Sequence, residues 1–115
     1  LSLHDALPIS LGENIGDLAG LAVAYKAYQL SLGGAPAPVI DGFSGSQRFF
    51  LGWAQIWRRK FRDDELRVRL LTDVHSPSEF RVNGVVSNMV EFHEAFAVAP
   101  GDRLYRAPGD RVKIW

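Results

Sequence analysis

Glu13 and Asp17 are the first candidates for chemistry, two carboxylates four residues apart in Glu13-Asn14-Ile15-Gly16-Asp17. On a helix this spacing places both on one face, roughly 6 Å apart along the axis at ~1.5 Å per residue. Like charges so placed repel, at a cost on the order of a few tenths of a kcal/mol on a solvated helix. A cation between them removes the repulsion, and a metal ion is one such cation. The plainer alternative is an acidic first turn that complements the helix dipole.

Asp73-Val74-His75-Ser76-Pro77 is the second candidate. A histidine on a loop before a helix start can aim its ring into a cleft, and Asp73 is near enough to hold its tautomer. A structural or surface histidine is the competing reading. Taken singly, Arg81 reads as a solvated arginine, and His93, between Phe92 and Phe96, as a structural or exposed helix residue. A catalytic zinc takes three protein ligands and keeps one position open. With His4 set aside for a reason given below, His75 and His93 are the remaining histidines, and H-E-x-x-H does not occur. On residues alone this is an incomplete zinc site or none.

The elements that must position these groups read as mainly α. Leu18, Leu21, Ala22, Tyr25 and Tyr28 recur at helical steps, predicting a helix over Asp17 to Leu32 with a stop at Gly33-Gly34. Residues 33–45 read as an irregular loop, punctuated by Pro, Gly and Asp. A second helix is expected from Ser46 to about Arg59, with Phe49, Phe50, Trp53, Ile56 and Trp57 as its apolar face. Arg58, Arg59 and Lys60 suit its negative C-terminal end. The aromatic face reads as core rather than as a stacking platform for bases, because its spacing is helical and no basic groove accompanies it. Asp63 or Asp64 can cap a short third helix toward Leu71. Ser76-Pro77-Ser78-Glu79 is a capping box with proline at the first helical position, which leaves His75 on a loop. Asn88-Met89-Val90-Glu91 is a second cap-like signal, and the tail from Pro100 carries Pro-Gly turns at 100–101 and 108–109.

Composition narrows the classes. The 115 residues make one domain or part of one, with 47% hydrophobic and 23% charged side chains, an ordinary folded balance. Thirteen basic and 13 acidic side chains cancel, so no net field favours nucleic acid or an anionic membrane surface. Cysteine is absent, which excludes disulfides and thiolate metal sites. There is no apolar run of about 20 residues, so no contact with a membrane is expected from this segment. Leu1 to Ile9 resembles a translated sequencing-adapter sequence, so residues 1–10 are set apart as an adapter-like scar or disordered tail and His4 and Asp5 carry no weight. Residues 11–115 are the part to which the fold reading applies.

These signals occur together in one order. Leu11-Gly12-Glu13-Asn14-Ile15-Gly16-Asp17-Leu18-Ala19-Gly20-Leu21 resembles the Glu-x-x-x-Asp segment of the neprilysin, endothelin-converting-enzyme and bacterial oligoendopeptidase O family of zinc metallopeptidases. The resemblance continues through Phe49-Phe50-Leu51-Gly52-Trp53-Ala54-Gln55-Ile56-Trp57 and Thr72-Asp73-Val74-His75-Ser76-Pro77-Ser78-Glu79-Phe80-Arg81-Val82-Asn83-Gly84, and it ends on Trp115. It implies the C-terminal helical part of a thermolysin-like zinc metallopeptidase catalytic domain.

By this resemblance Glu13 is the third ligand of one Zn2+, joining two histidines of an H-E-x-x-H helix upstream in the same polypeptide. Two imidazoles and a hard carboxylate leave one position for water, whose pKa the metal lowers toward about 7. Asp17 lies behind the ligands, accepting the outer N–H of a zinc-bound histidine. A proton-donor role for Asp17 is the alternative. The orienting role is preferred, since a carboxylate gripping a metal-bound imidazole stays ionised. His75, steadied by Asp73, donates to the oxyanion, and Arg81 binds a backbone carbonyl of the peptide substrate. The glutamate that acts as general base belongs to the upstream helix. Val112-Lys113-Ile114-Trp115 lacks the cysteine that animal relatives carry near the terminal tryptophan, which points to a bacterial-type member. An exported, periplasmic or extracellular location is implied by resemblance, with a peptide as partner and no nucleic acid. The competing reading is a non-catalytic helical interaction module.

Overall fold

In a computed structural model, described for residues 8–58, 62–72 and 78–114, the chain is helical, and no strand occurs among the described residues. The first helix, α1, runs from Pro8 to Ser31. It therefore begins well before the expected Asp17. The alanines of α1 offset its helix-weakening glycines at 12, 16 and 20. Leu18 and Leu21 form its buried stripe, with Ala22 and Tyr25 packed beside them. Left-handed Gly33 and Gly34 (φ 60° and 85°) stop the helix, as expected.

Residues 33–45 are more ordered than an irregular loop. Asp41 and Gly42 both have positive φ, and Ile40 and Phe43 exchange backbone hydrogen bonds of 3.0 and 2.9 Å across them. This is the Asp-Gly tight turn whose central residues need φ above zero. Arg48 Nη1 fastens the turn by donating to the carbonyls of Pro38 and Phe43.

Helix α2 spans Gly45–Ile56. It starts one residue before the expected Ser46, and its cap is Ser44: the Ser44 hydroxyl accepts from Gln47 N, and the Gln47 side chain accepts from Ser44 N. Ser-x-x-Gln is a capping box that satisfies two donors at once, and the helix starts where it places them. Helix α3 runs from Asp63 to Thr72 with Asp63, Asp64 and Glu65 in its first turn, close to expectation. Residues 78–86 are helical but contain a π-helical turn, Phe80–Gly84, that no local sequence pattern announces. Helix α4 is short, Val90–Ala95, and Met89 precedes it without a side-chain cap. Asn88, expected to cap α4, serves elsewhere: it donates to Gly84 O and accepts from Val112 N. It ties the end of the π-turn to the returning tail.

Leu18, Leu21, Phe50, Val85, Val86 and Met89 form the core. Phe50 stands edge-on to Phe92 of α4 and stacks with Tyr25 of α1, so one ring joins three helices. His93 is buried, as its structural reading required. Its Nδ1 lies 2.9 Å from Met89 O, and its Nε2 accepts from Arg106 N, so it holds the tail against α4. Gly45, at the start of α2, lies close to the Tyr28 side chain of α1 and to Ala37 of the following loop. A Cβ there would meet the Tyr28 hydroxyl and come within 2.5 Å of the Ala37 methyl. Gly45→Ala should therefore cost about 1–3 kcal/mol of stability through overpacking, despite the better helix propensity of alanine. A denaturant midpoint no lower than that of the parent chain would refute this.

Much apolar surface stays outside this core. Leu30, Val39, Ile56 and Leu71 are 72%, 69%, 63% and 86% exposed. The apolar face expected of α2 is thus divided, with Phe50 inward and Ile56 outward.

Candidate functional site

The long α1 settles the condition on which the paired carboxylates depended. Glu13 and Asp17 both lie within it, one helical turn apart. Glu13 is exposed, whereas Asp17 is mostly covered. What covers Asp17 is Arg81. Arg81 Nε donates to Asp17 Oδ2 and Nη2 to Oδ1, both at 2.6 Å, with the two side chains 13% and 11% exposed. The fork geometry of guanidinium on carboxylate makes this the stronger kind of ion pair. A carboxylate has about four acceptor directions, and the guanidinium uses two of them. Asp17 can thus grip Arg81 and still serve an imidazole N–H.

Arg81 projects from the π-turn, and α2 supports it from the other side. Its guanidinium carbon lies 4.1 Å from the centre of the Trp57 ring, a cation–π contact. Trp53, one turn earlier, meets Trp57 edge-on at 5.6 Å, and its indole N–H donates to Arg81 O at 3.3 Å. Four elements of chemistry therefore converge from three segments: Asp17 from α1, Trp53 and Trp57 from the end of α2, and Arg81 from the π-turn. At the far end of that turn, Ser87 and Asn88 both donate to Gly84 O and fix where it closes.

Asp17 and Arg81, read separately in the sequence, are thus brought together, and Glu13 stands one turn away on the open side of the same helix. Asp73 and His75 lie outside the described residues, as do Ser76 and Pro77 of the expected capping box, Arg59 and Lys60, and Trp115. Of the two tryptophans expected in the core, Trp53 packs against it, while Trp57 lies under the guanidinium. Their i, i+4 spacing at the end of an amphipathic helix, beside an arginine-bearing segment, is the signal that could have marked Trp57 as a bed for a cation.

No group of three or more metal-binding side chains occurs among the described residues. Glu13 is a single exposed carboxylate one helical turn from Asp17.

Comparison with known proteins follows the same line. The model of Peptidase family M13 matches residues 6–112. The chain belongs to this family. Neprilysin-3 of Drosophila melanogaster is 38% identical over 110 residues, covering 92% of the chain and 14% of that protein. Human endothelin-converting enzyme 1 is 42% identical over the same length and shares. The zinc metalloprotease Zmp1 of Mycobacterium tuberculosis in its open state superposes with a TM-score of 0.90 at 59% identity, over 93% of this chain and 17% of that one. Zmp1 in complex with an inhibitor gives the same TM-score and identity. The M13 chain thus spans about a seventh of the curated relatives it matches. Its fold is that of the helical C-terminal part of an M13 zinc metallopeptidase domain. No helix among the described residues is long and apolar enough to cross a membrane.

Proposed function

We propose that this chain is the third-ligand and substrate-binding part of a zinc-dependent metalloendopeptidase acting on oligopeptides. The forked Asp17–Arg81 pair, one helical turn from Glu13, is the observation that carries the reading. Glu13 supplies one carboxylate ligand to zinc, and two histidines come from an H-E-x-x-H helix upstream in the same polypeptide. The ion, when bound, supplies the Lewis acidity that activates water and polarises the peptide carbonyl. Asp17 holds the outer N–H of a ligand histidine and so fixes its tautomer and raises its basicity. The same carboxylate locks Arg81 in place, so the metal side and the peptide side of the site share one anchor. Arg81 donates to a backbone carbonyl of the peptide and sets its register, its charge held in shape by Asp17 on one side and Trp57 beneath. His75, with Asp73 behind it, donates to the oxygen on which negative charge develops as the tetrahedral intermediate forms. The bacterial character of the tail and an exported or periplasmic setting belong to the same reading.

The 115-residue chain by itself should cleave nothing and bind zinc weakly, because it carries one ligand of the three. It should also self-associate, since side chains such as Leu71 at 86% exposure have no partner surface to cover them in isolation. The complete polypeptide, with H-E-x-x-H restored upstream, should cleave a fluorogenic peptide, and a chelator should stop it. Chelator-sensitive cleavage by the isolated chain would overturn the division of ligands. An upstream reading frame without H-E-x-x-H would leave the non-catalytic module in its place.

A further inference from the structure

We propose that Trp53 is a positioning residue for Arg81, holding in place the backbone from which the guanidinium reaches Asp17 and the peptide. The proposal rests on the substrate-binding role given to Arg81 above. Two contacts carry it. The Trp53 indole N–H donates to Arg81 O at 3.3 Å, and the Trp53 ring abuts edge-on, at 5.6 Å, the Trp57 ring over which the guanidinium lies. Trp53 therefore bears on Arg81 in two ways, directly at its backbone and indirectly, through Trp57, at its charge.

The need for such a hold comes from the π-turn. Phe80–Gly84 is π-helical, with α-helical residues on both sides at 78–79 and 85–86. A π-turn contains one residue more than the α-helix into which it can relax, and it forms in short pieces only. One residue corresponds to about 100° of rotation at 3.6 residues per turn. Relaxation would swing Arg81 about the helix axis, away from Asp17 and Trp57. The hydrogen bond at the Arg81 carbonyl ties the turn to α2, the helix that Trp57 caps at its C-terminus. The guanidinium and its aromatic bed are then held in one frame.

A tryptophan that merely fills space also finds a partner for its N–H, so the test must separate positioning from packing. In the complete zinc-loaded polypeptide, steady-state kinetics on a fluorogenic peptide are compared for the parent, Trp53→Phe, Arg81→Ala and the double variant. Phenylalanine keeps an aromatic ring and removes the donor. Trp53→Phe should leave zinc content and kcat near the parent values and raise KM about three- to tenfold, the scale of one neutral hydrogen bond. Introduced into Arg81→Ala, it should change KM by less than about twofold, because the residue through which it acts is gone. Unchanged KM in Trp53→Phe overturns the proposal, as does an equal rise in both backgrounds, the mark of a packing role. If Arg81→Ala itself leaves KM unchanged, the binding role of Arg81 fails first and the proposal with it. If Trp53→Phe does not fold, benzothienylalanine at position 53, which keeps the bicyclic ring and replaces N–H by sulfur, gives the same readout.

Discussion

Glu13→Ala in the complete polypeptide should remove zinc and reduce peptide cleavage to the background of the metal-free protein, while the helix that bears it stays intact. Glu13 is exposed and lies in the interior of α1, so truncating it creates no cavity. Alanine is also the better helix former. What is lost is one of three ligands, and two imidazoles do not hold a catalytic zinc in its usual geometry. Asp17→Ala should behave differently, and the structure makes the difference larger than a ligand-orienting role by itself requires. Losing the carboxylate behind a ligand histidine costs on the order of 10–100-fold in metal affinity or activity. It also leaves Arg81, about one-tenth exposed, without its forked partner. Removing one member of such a covered pair costs up to about 3 kcal/mol, with some relief from the remaining solvent contact. Asp17→Ala should therefore bind zinc more weakly and show a raised KM, and its KM defect should not add to that of Arg81→Ala. Metal content by mass spectrometry beside steady-state kinetics checks both variants. Full zinc occupancy and normal turnover in Glu13→Ala would end the ligand assignment.

Local patterns in this chain were readable where local energetics decide the structure. The periodic leucines and tyrosines of α1, the acidic start of α3 and the left-handed glycines after Ser31 all act within a turn or two. Helix α1 extends N-terminal of the expected Asp17 because glycines at 12 and 16 weaken the periodic signal there without breaking the helix. Helix α2 begins one residue before the expected Ser46 because Ser44, with Gln47 three residues on, forms the capping box, and it ends at Ile56, short of the expected Arg59. Less of the site was legible. Asp17 and Arg81 are 64 positions apart, and nothing in either neighbourhood codes for the other. Their pairing follows from how α1 packs against the segment after α3. The π-turn depends on contacts made at its two ends, by Trp53 and by Ser87 with Asn88, two of which are close in sequence and one distant. The family resemblance supplied roles for Glu13, Asp17 and Arg81 one by one. The packing shows that Asp17 and Arg81 form a unit.

That unit sets the contrast expected between Arg81 and His75. His75→Ala should leave zinc content and folding intact and lower kcat by roughly 10²–10³, equivalent to about 2.7–4 kcal/mol of lost transition-state stabilisation. KM should change little, because a donor aimed at the oxyanion strengthens only as negative charge develops there. Arg81→Ala should raise KM with a smaller effect on kcat, because the contact it removes is made to the bound peptide before reaction as well as during it. Arg81→Lys should not restore binding. A lysine ammonium cannot reproduce the two parallel bonds to Asp17, and it loses the planar face that rests on Trp57. The two residues are six positions apart in the sequence, and on the proposed roles they would divide charge stabilisation from substrate register. Zinc analysis and steady-state kinetics on the same preparations decide between the assignments. Zinc lost from His75→Ala would make the histidine a ligand, and an undiminished kcat would make it structural; either result removes the oxyanion role.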